Sequence, residues 1–305
     1  MRPLLLTILL ALSLSALAAP APFFLWQSKV DGHLTCAQVS PGDGWIRFTG
    51  PFRDAGCRVA HDAPVRSRSE NAMQYLVSPV GIVRSCFKEK FAIPRQPHLA
   101  SAARGVLELL PPFDQGEAVQ GLEQVSHVWL LFLFHQALED KPRLKVRPPR
   151  LGGNQSVGVF STRATHRPNG IGQSVVRLDK VEPGRLHLSG IDLLDGTPVL
   201  DIKPYVPYAD CVSDAHNAMA DAAPRLIPVD WHGDALSSAH QHAQRLSEPL
   251  VELIEQCLAQ DPRPAYQQPE PERRYGARFW DLDVHWHYPE LGRIRVLDVQ
   301  MTSRN

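Results

Sequence analysis

Val128-Trp129-Leu130-Leu131-Phe132-Leu133-Phe134 is an unbroken apolar run, and its reading decides the fold class. A membrane-spanning helix needs about 20 such residues. A run this short suits a strand buried on both faces. Similar short stretches lie on either side. Residues 74–84 are apolar but interrupted by Pro79, which is an edge-strand pattern. Residues 105–110, 157–160, 174–181, 185–191 and 198–202 continue the series. Short strands at this spacing predict a sandwich or a barrel, and closure into a barrel would remove exposed edges. The chain has 27 prolines in 305 residues, about twice the usual ~5%. Proline breaks helix interiors, so long bundles and coiled coils are excluded.

The C-terminal part reads differently. Residues 247–260 predict a helix capped by Ser247, with Leu250, Val251, Ile254 and Leu258 on one face. Asp261-Pro262-Arg263-Pro264 ends it. Residues 279–286 alternate, with Trp280, Leu282, Val284 and Trp286 on one side; a turn over 288–292 and a return over 293–299 complete a hairpin. The Ala/His-rich stretch 214–242 reads as a loop. Its His232, His240 and His242 lack a convincing ligand partner, so no metal site is expected.

The front of the chain has a third character. Residues 1–19 resemble a secretory signal: Arg2, an apolar run from Leu4 to Leu14, then Ala16-Leu17-Ala18. Residues 20–72 hold Cys36 and Cys57, for which a disulfide is expected in an exported context, and 61–72 read as a polar linker. So small a block builds little core without a staple. Cys86, Cys211 and Cys257 show no metal spacing and read as reduced, buried thiols.

The 32 basic and 32 acidic side chains cancel, which excludes a chain that is polybasic throughout but not a local basic face. Such a face is visible. Lys141, Arg143, Lys145, Arg147, Arg150, Arg163, Arg167 and Arg177 fall in one stretch without an Asp or Glu, interleaved with Pro148-Pro149, Gly152-Gly153-Asn154 and Pro168-Asn169-Gly170. Stiff and permissive backbone mixed with arginine suits a shaped polyanion site, with a nucleic acid as the expected partner. Arg95 and Gln96 sit between Pro94 and Pro97, and His135-Gln136 follows the central apolar run, where strand exits meet ligands. The sequence holds no GxGxxG after a strand, no GxxxxGK[ST], no HExxH and no GxSxG.

Longer motifs carry a resemblance. They are Phe91-Ala92-Ile93-Pro94-Arg95-Gln96-Pro97, Ser126-His127-Val128-Trp129, Phe134-His135-Gln136, Val146-Arg147-Pro148-Pro149-Arg150-Leu151-Gly152-Gly153-Asn154, Ser161-Thr162-Arg163-Ala164-Thr165-His166-Arg167-Pro168-Asn169, Ile191-Asp192-Leu193-Leu194-Asp195-Gly196-Thr197-Pro198 and Asp261-Pro262-Arg263-Pro264-Ala265-Tyr266. From Met73 onward the chain resembles the TsaA-like/TrmO family of tRNA methyltransferases. His166 stands where the family has Phe, and Gly170 where a proline is common.

The resemblance implies a mainly β fold, a single-sheeted β-barrel over 73–213 that binds S-adenosylmethionine, with a small α+β C-terminal domain over 214–305. It implies a homodimer, no metal and no membrane partner for the enzyme part. The implied substrate is a tRNA anticodon arm whose adenosine, 3′ of the anticodon, already carries a threonylcarbamoyl group; the exocyclic nitrogen is methylated. By motif, cofactor contacts fall on Pro94, Arg95, Gln96, His135, Gln136, Arg163, Asp261, Pro262, Arg263 and Pro264. Arg147, Arg150 and Arg167 are the tRNA-binding candidates. His135 and Asp261 are candidate proton acceptors, with no choice between them. An exported enzyme would meet neither cofactor nor tRNA, so a cytoplasmic enzyme of residues 73–305 is expected, preceded by a fused frame or a false start. The competing readings are a noncatalytic RNA-binding module and an exported, disulfide-stapled binding protein.

Overall fold

The computed structural model describes residues 21–58, 75–139, 141, 143–148, 155–263, 267–268, 270 and 272–303. The signal-like segment 1–19, the linker 61–72, Arg150, Gly152-Gly153-Asn154 and Pro264 lie outside them. The chain divides into two compact units, the second formed mainly by Met73–Asn305.

The first unit is a three-stranded antiparallel sheet. β1 (Phe23–Ser28) lies between β2 (Leu34–Ala37) and β3 (Trp45–Phe52). None of its described apolar side chains is fully buried. Cys36 and Cys57 are disulfide-bonded, a cross-link that a sheet with so little core needs.

The second unit is built on a closed antiparallel barrel. Its strands are β4 (Gly81–Ser85), β5 (Arg104–Leu109), β6 (His127–Leu133), β9 (Ile171–Glu182), β10 (Arg185–Ser189) and β11 (Pro198–Pro204), in the order β10-β5-β4-β11-β6-β9. β9 pairs with β10 and closes the ring. The Pro79 segment is therefore no edge: β4 starts two residues later and is paired on both sides. A short ribbon, β7 (Lys145–Val146) with β8 (Val157–Gly158), and two single-turn helices, α1 (Gly116–Val119) and α2 (Pro207–Asp210), decorate the barrel.

The central apolar run forms β6, but only one face of it is buried. Val128, Leu130 and Phe132 point into the core, whereas His127, Trp129, Leu131 and Leu133 are half-buried on the outside. The strand pleat alternates side chains with period two, and a closed sheet has one inside. The apolar outer residues are explained by a cavity, described below.

After the barrel, the 214–242 stretch is not all loop. It holds β12 (Val229–Trp231) and most of α3 (Ala235–Leu246). Ser247 does not cap the next helix; it closes α3 in the left-handed conformation (φ 57°), accepting the chain reversal before α4 (Leu250–Ala259). α4 buries Leu250, Leu253, Ile254, Cys257 and Leu258, the i, i+3, i+4, i+7, i+8 spacing of a core-facing helix. β13 (Tyr275–Phe279), β14 (Leu282–Glu290) and β15 (Arg293–Met301) form the sheet β12-β15-β14-β13, with β12 parallel to β15. Trp280 falls in the β13–β14 turn at φ 51°, so the buried row on β14 is Leu282, Val284, Trp286 and Tyr288. Cys86 and Cys257 are buried, and burial pushes both thiols up; Cys211 is exposed, contrary to expectation, because it follows α2 on the surface. Among the described residues no helix is long and apolar enough to cross a membrane.

The C-terminal sheet is joined to the barrel through the loop after β4. Phe87 bridges to Phe279, and Phe91 stacks on Trp286 with centroids 5.8 Å apart and planes 5° from parallel. Gln256 Oε1 accepts from Ala102 N (2.9 Å), and Gln260 Nε2 donates to Leu99 O (3.1 Å).

Gly172 lies opposite Phe132 in the β6–β9 register. A Cβ there would sit 2.5 Å from Phe132 Cε2 and 2.8 Å from Phe134 Cζ. Gly172→Ala should therefore cost roughly 1–3 kcal/mol by overpacking. Urea denaturation reads this; an unchanged midpoint would show that the two rings move aside freely.

Candidate active site

The outer face of β6 and β9 floors a cavity of about 590 Å³, in the usual range for a small-molecule site. Three segments of chain wall it. The first is Ile93-Pro94-Arg95-Gln96, the second Phe134-His135-Gln136-Ala137 at the exit of β6, and the third runs from Thr162 to Arg167. Leu131, Leu133 and Phe134 supply apolar surface, which accounts for the outer residues of the central run.

Each wall is held from behind. Arg95 N donates to Gln260 Oε1 (3.3 Å), and its guanidinium Nη2 donates to Asp261 O (3.2 Å). Lys90 Nζ donates to Gln136 O (2.8 Å), tying the second wall to the first. Arg163 Nη1 donates to Gln96 Oε1 (2.7 Å), and Arg167 Nη1 donates to Thr162 O (2.9 Å). The third wall turns at Gly170, whose φ is +61°. A proline, locked near −65°, has no access to that conformation, so this chain's loop depends on glycine there. His166 Nδ1 lies 3.1 Å from Glu139 Oε1.

Of the expected cofactor residues, Pro94, Arg95, Gln96, His135, Gln136 and Arg163 line this one cavity, and Arg167, expected on the tRNA, lines it too. Asp261, Pro262 and Arg263 do not line it. Asp261 accepts from Tyr288 Oη (2.7 Å) and Arg263 Nη2 (3.0 Å), and Arg263 covers the Tyr288 ring at 5.0 Å. These residues brace Arg95 from the C-terminal side. Arg147 is exposed and outside the cavity.

The electrostatics are lopsided. Among the described lining residues, Lys90, Arg95, Arg163 and Arg167 face a single carboxylate, Asp192. Its Oδ1 is sealed from solvent and finds no hydrogen-bond partner among the described residues. Burial pushes the Asp192 carboxyl up to about 6, against the opposing pulls of Ser174, its own backbone N–H and the Arg163 charge. Burial, with a smaller contribution from the charge of Lys90, lowers His135 to about 4, so its imidazole is neutral at pH 7. Asp192 lies within one of the motifs quoted above, but its local sequence assigns it no role. The available signal was an acid inside the apolar run Ile191-Asp192-Leu193-Leu194, since acids are rarely buried without a task. Among the described residues no group of three or more His, Cys, Asp or Glu side chains forms a metal site.

Residues 82–211 match the tRNA-methyltransferase O N-terminal domain, and 224–302 match the TrmO C-terminal domain. The chain is 78% identical over 227 residues to a putative S-adenosylmethionine-dependent methyltransferase, RcsF, of Pseudomonas aeruginosa PAO1, covering 74% of this chain and 98% of that protein. This chain belongs to the tRNA-methyltransferase O family. It is also 45% identical over 219 residues to the tRNA (adenine(37)-N6)-methyltransferase of Escherichia coli K12, covering 70% of this chain and 93% of that one. A crystal structure of TrmO from P. aeruginosa superimposes with a TM-score of 0.67 at 66% identity, over 76% of this chain and all of that one.

Relatives of this tRNA-methyltransferase O family member are described as S-adenosylmethionine-dependent or S-adenosyl-L-methionine-binding. The residues fit that cofactor. It carries a carboxylate, for which the cavity has arginines, and an apolar-faced adenine, for which it has Leu131, Leu133 and Phe134. It also carries hydroxyl and ammonium donors, for which the Asp192 carboxylate on the cavity wall is an acceptor.

Asp192 titrates in an accessible window. Its ionised, acceptor-only form prevails above about pH 6, so cofactor affinity should rise as pH rises through that value. Asp192→Asn should weaken cofactor binding by roughly 1–3 kcal/mol and flatten this part of the profile. Calorimetry at a series of pH values decides it; an identical profile in the variant would remove Asp192 from the site.

Proposed function

We propose that this chain methylates the exocyclic N6 of a tRNA adenosine that lies 3′ of the anticodon and already carries a threonylcarbamoyl group. S-adenosylmethionine-dependent methylation of tRNA is the family's chemistry; the modified adenosine is the finer assignment. One observation carries it. Among the described lining residues the cavity has more fixed cations than a single cofactor carboxylate needs: Lys90, Arg95, Arg163 and Arg167 against Asp192. A second carboxylate, such as that of a threonyl side chain, would use the surplus.

When bound, S-adenosylmethionine supplies an electrophilic methyl group. The protein's part is alignment and exclusion of water, and alignment alone is worth several kcal/mol. Arg163 shapes the third wall of the cavity while holding Gln96. His135, neutral at pH 7, places an uncharged polar ring at the strand exit. A general base works best with a pKa near the working pH, and His135 at about 4 is poorly matched. That mismatch is tolerable, because an alkylated ureido nitrogen is acidic enough to surrender its proton to a weak acceptor or to water. Asp261 is engaged by Tyr288 and Arg263, so its part is to position Arg95.

We assign this activity to residues 73–305, acting in the cytoplasm as a homodimer, with the front block contributed by a fused frame or an upstream start. Exposed Leu138, Leu144 and Phe160 favour a covered face. Nucleoside mass spectrometry of tRNA from a deletion strain tests the assignment. Residues 73–305 alone should restore the methylated threonylcarbamoyl nucleoside, and Arg163→Ala should fail to restore it while keeping its circular dichroism. Restoration of methylation only on unmodified adenosine would overturn the substrate.

A further inference from the structure

Beside the cofactor cavity lies a second crevice of about 430 Å³. Gln96, Arg163, Gln173 and Ser174 line both. Between the two runs the Arg163–Gln96 hydrogen bond of 2.7 Å. The crevice has its own furniture, which the cofactor site does not use. Trp129 and Tyr205 face each other with centroids 6.1 Å apart and planes inclined at 43°, and His98 and His127 do so at 6.4 Å and 59°.

Trp129 is fixed in place. Its Nε1 donates to Asp210 Oδ2 (2.9 Å), and the same oxygen accepts from Val206 N (2.8 Å). The single turn of α2 thus locks an indole that would otherwise rotate on the barrel surface. Burial, with smaller contributions from the neighbouring Arg177 and His98, lowers His127. Cations flank the rings. The β6–β11 register puts Lys203 opposite Trp129, and the β6–β9 register puts Arg177 opposite His127. Among the described residues each pairs with a neighbour on its own strand, Lys203 with Asp201 and Arg177 with Asp179, with both partners substantially exposed. Such pairs are weak and yield readily to a phosphate.

We propose that this crevice is the acceptor-base site, in which the target purine of the RNA is held against Trp129 and Tyr205 with its phosphates on Lys203 and Arg177. The inference rests on the tRNA-methylation reading above and specifies where its acceptor sits. An aromatic platform with basic flanks is how proteins hold unstacked bases. The Gln96–Arg163 contact separates such a purine from the cofactor cavity, and it has to open for the acceptor nitrogen to reach the methyl group. A base of an anticodon loop is already partly unstacked, so its transfer into the crevice costs little.

The test uses the full chain and a labelled anticodon stem-loop bearing the threonylcarbamoyl group, with S-adenosylhomocysteine present. Trp129→Leu and Tyr205→Leu keep apolar bulk but remove the π face. Each should weaken stem-loop binding roughly five- to 150-fold, the range for loss of one base–aromatic stack, and raise KM for tRNA in proportion. Cofactor affinity by calorimetry should stay within about twofold of wild type. Trp129→Phe should recover most of the loss, which a merely structural tryptophan would not predict. If wild type methylates tRNA but both Leu variants bind and turn over normally, the crevice assignment falls and the function stands. If wild type binds the stem-loop but never methylates it, the function falls, and the Leu variants still report on stacking. If wild type does not bind the stem-loop, both fall.

Discussion

The period-two pleat of a closed sheet is the constraint on which the rest depends. β6 cannot bury both faces, because a barrel has one interior. Val128, Leu130 and Phe132 take it, and Trp129, Leu131 and Leu133 are left outside with apolar surface to cover. β9 pairs beside it in register, adding Gln173 and Val175 to the same outer face. That face is the floor of both crevices. One strand pair therefore serves as core on one side and binding surface on the other. The small residue Gly172 lets the rings of Phe132 and Phe134 meet at 5.2 Å where the two roles touch.

The walls above this floor have little secondary structure of their own, so their shape has to come from elsewhere. For the Pro94–Gln96 wall it comes from the C-terminal part of the chain: Phe91 on Trp286, Gln260 on Arg95, and Asp261 O on the Arg95 guanidinium. This explains why the Asp261–Arg263 motif belongs with the site without touching the cavity. Asp261 sits at positive φ (50°) with its carboxylate spent on Tyr288 and Arg263. Holding a loop from behind requires the same fidelity as touching a ligand, because a displacement of an ångström at a methyl-transfer site is costly.

Much of the site is legible in the sequence. Pro94-Arg95-Gln96, His135-Gln136 and Arg163 stood out because charge or amide groups between prolines, or at the end of an apolar strand, have few structural reasons to be there. Other features resisted reading. Ser247 looked like a helix start and is a helix end, since a small polar residue between two helices suits either. The stretch 214–242 looked like loop because β12 is short and α3 is polar on most sides. Asp192 was hidden by its apolar neighbours, and the partnership of Trp129 with Tyr205 is separated by 76 positions in sequence, which no local pattern spans.

The amino-acid sequence by itself determined the class of fold, the strands near their observed places, the tRNA-methyltransferase O relationship and the loop residues that line the cavity. It could do so because period, proline content and motif order are local properties. Only the tertiary structure decided which face of β6 became the site, that Asp261 supports Arg95 instead of lining the cavity, and that a second aromatic crevice adjoins the first. Those are matters of which distant segments share a space, and barrel closure and loop bracing settle that after the local elements have formed.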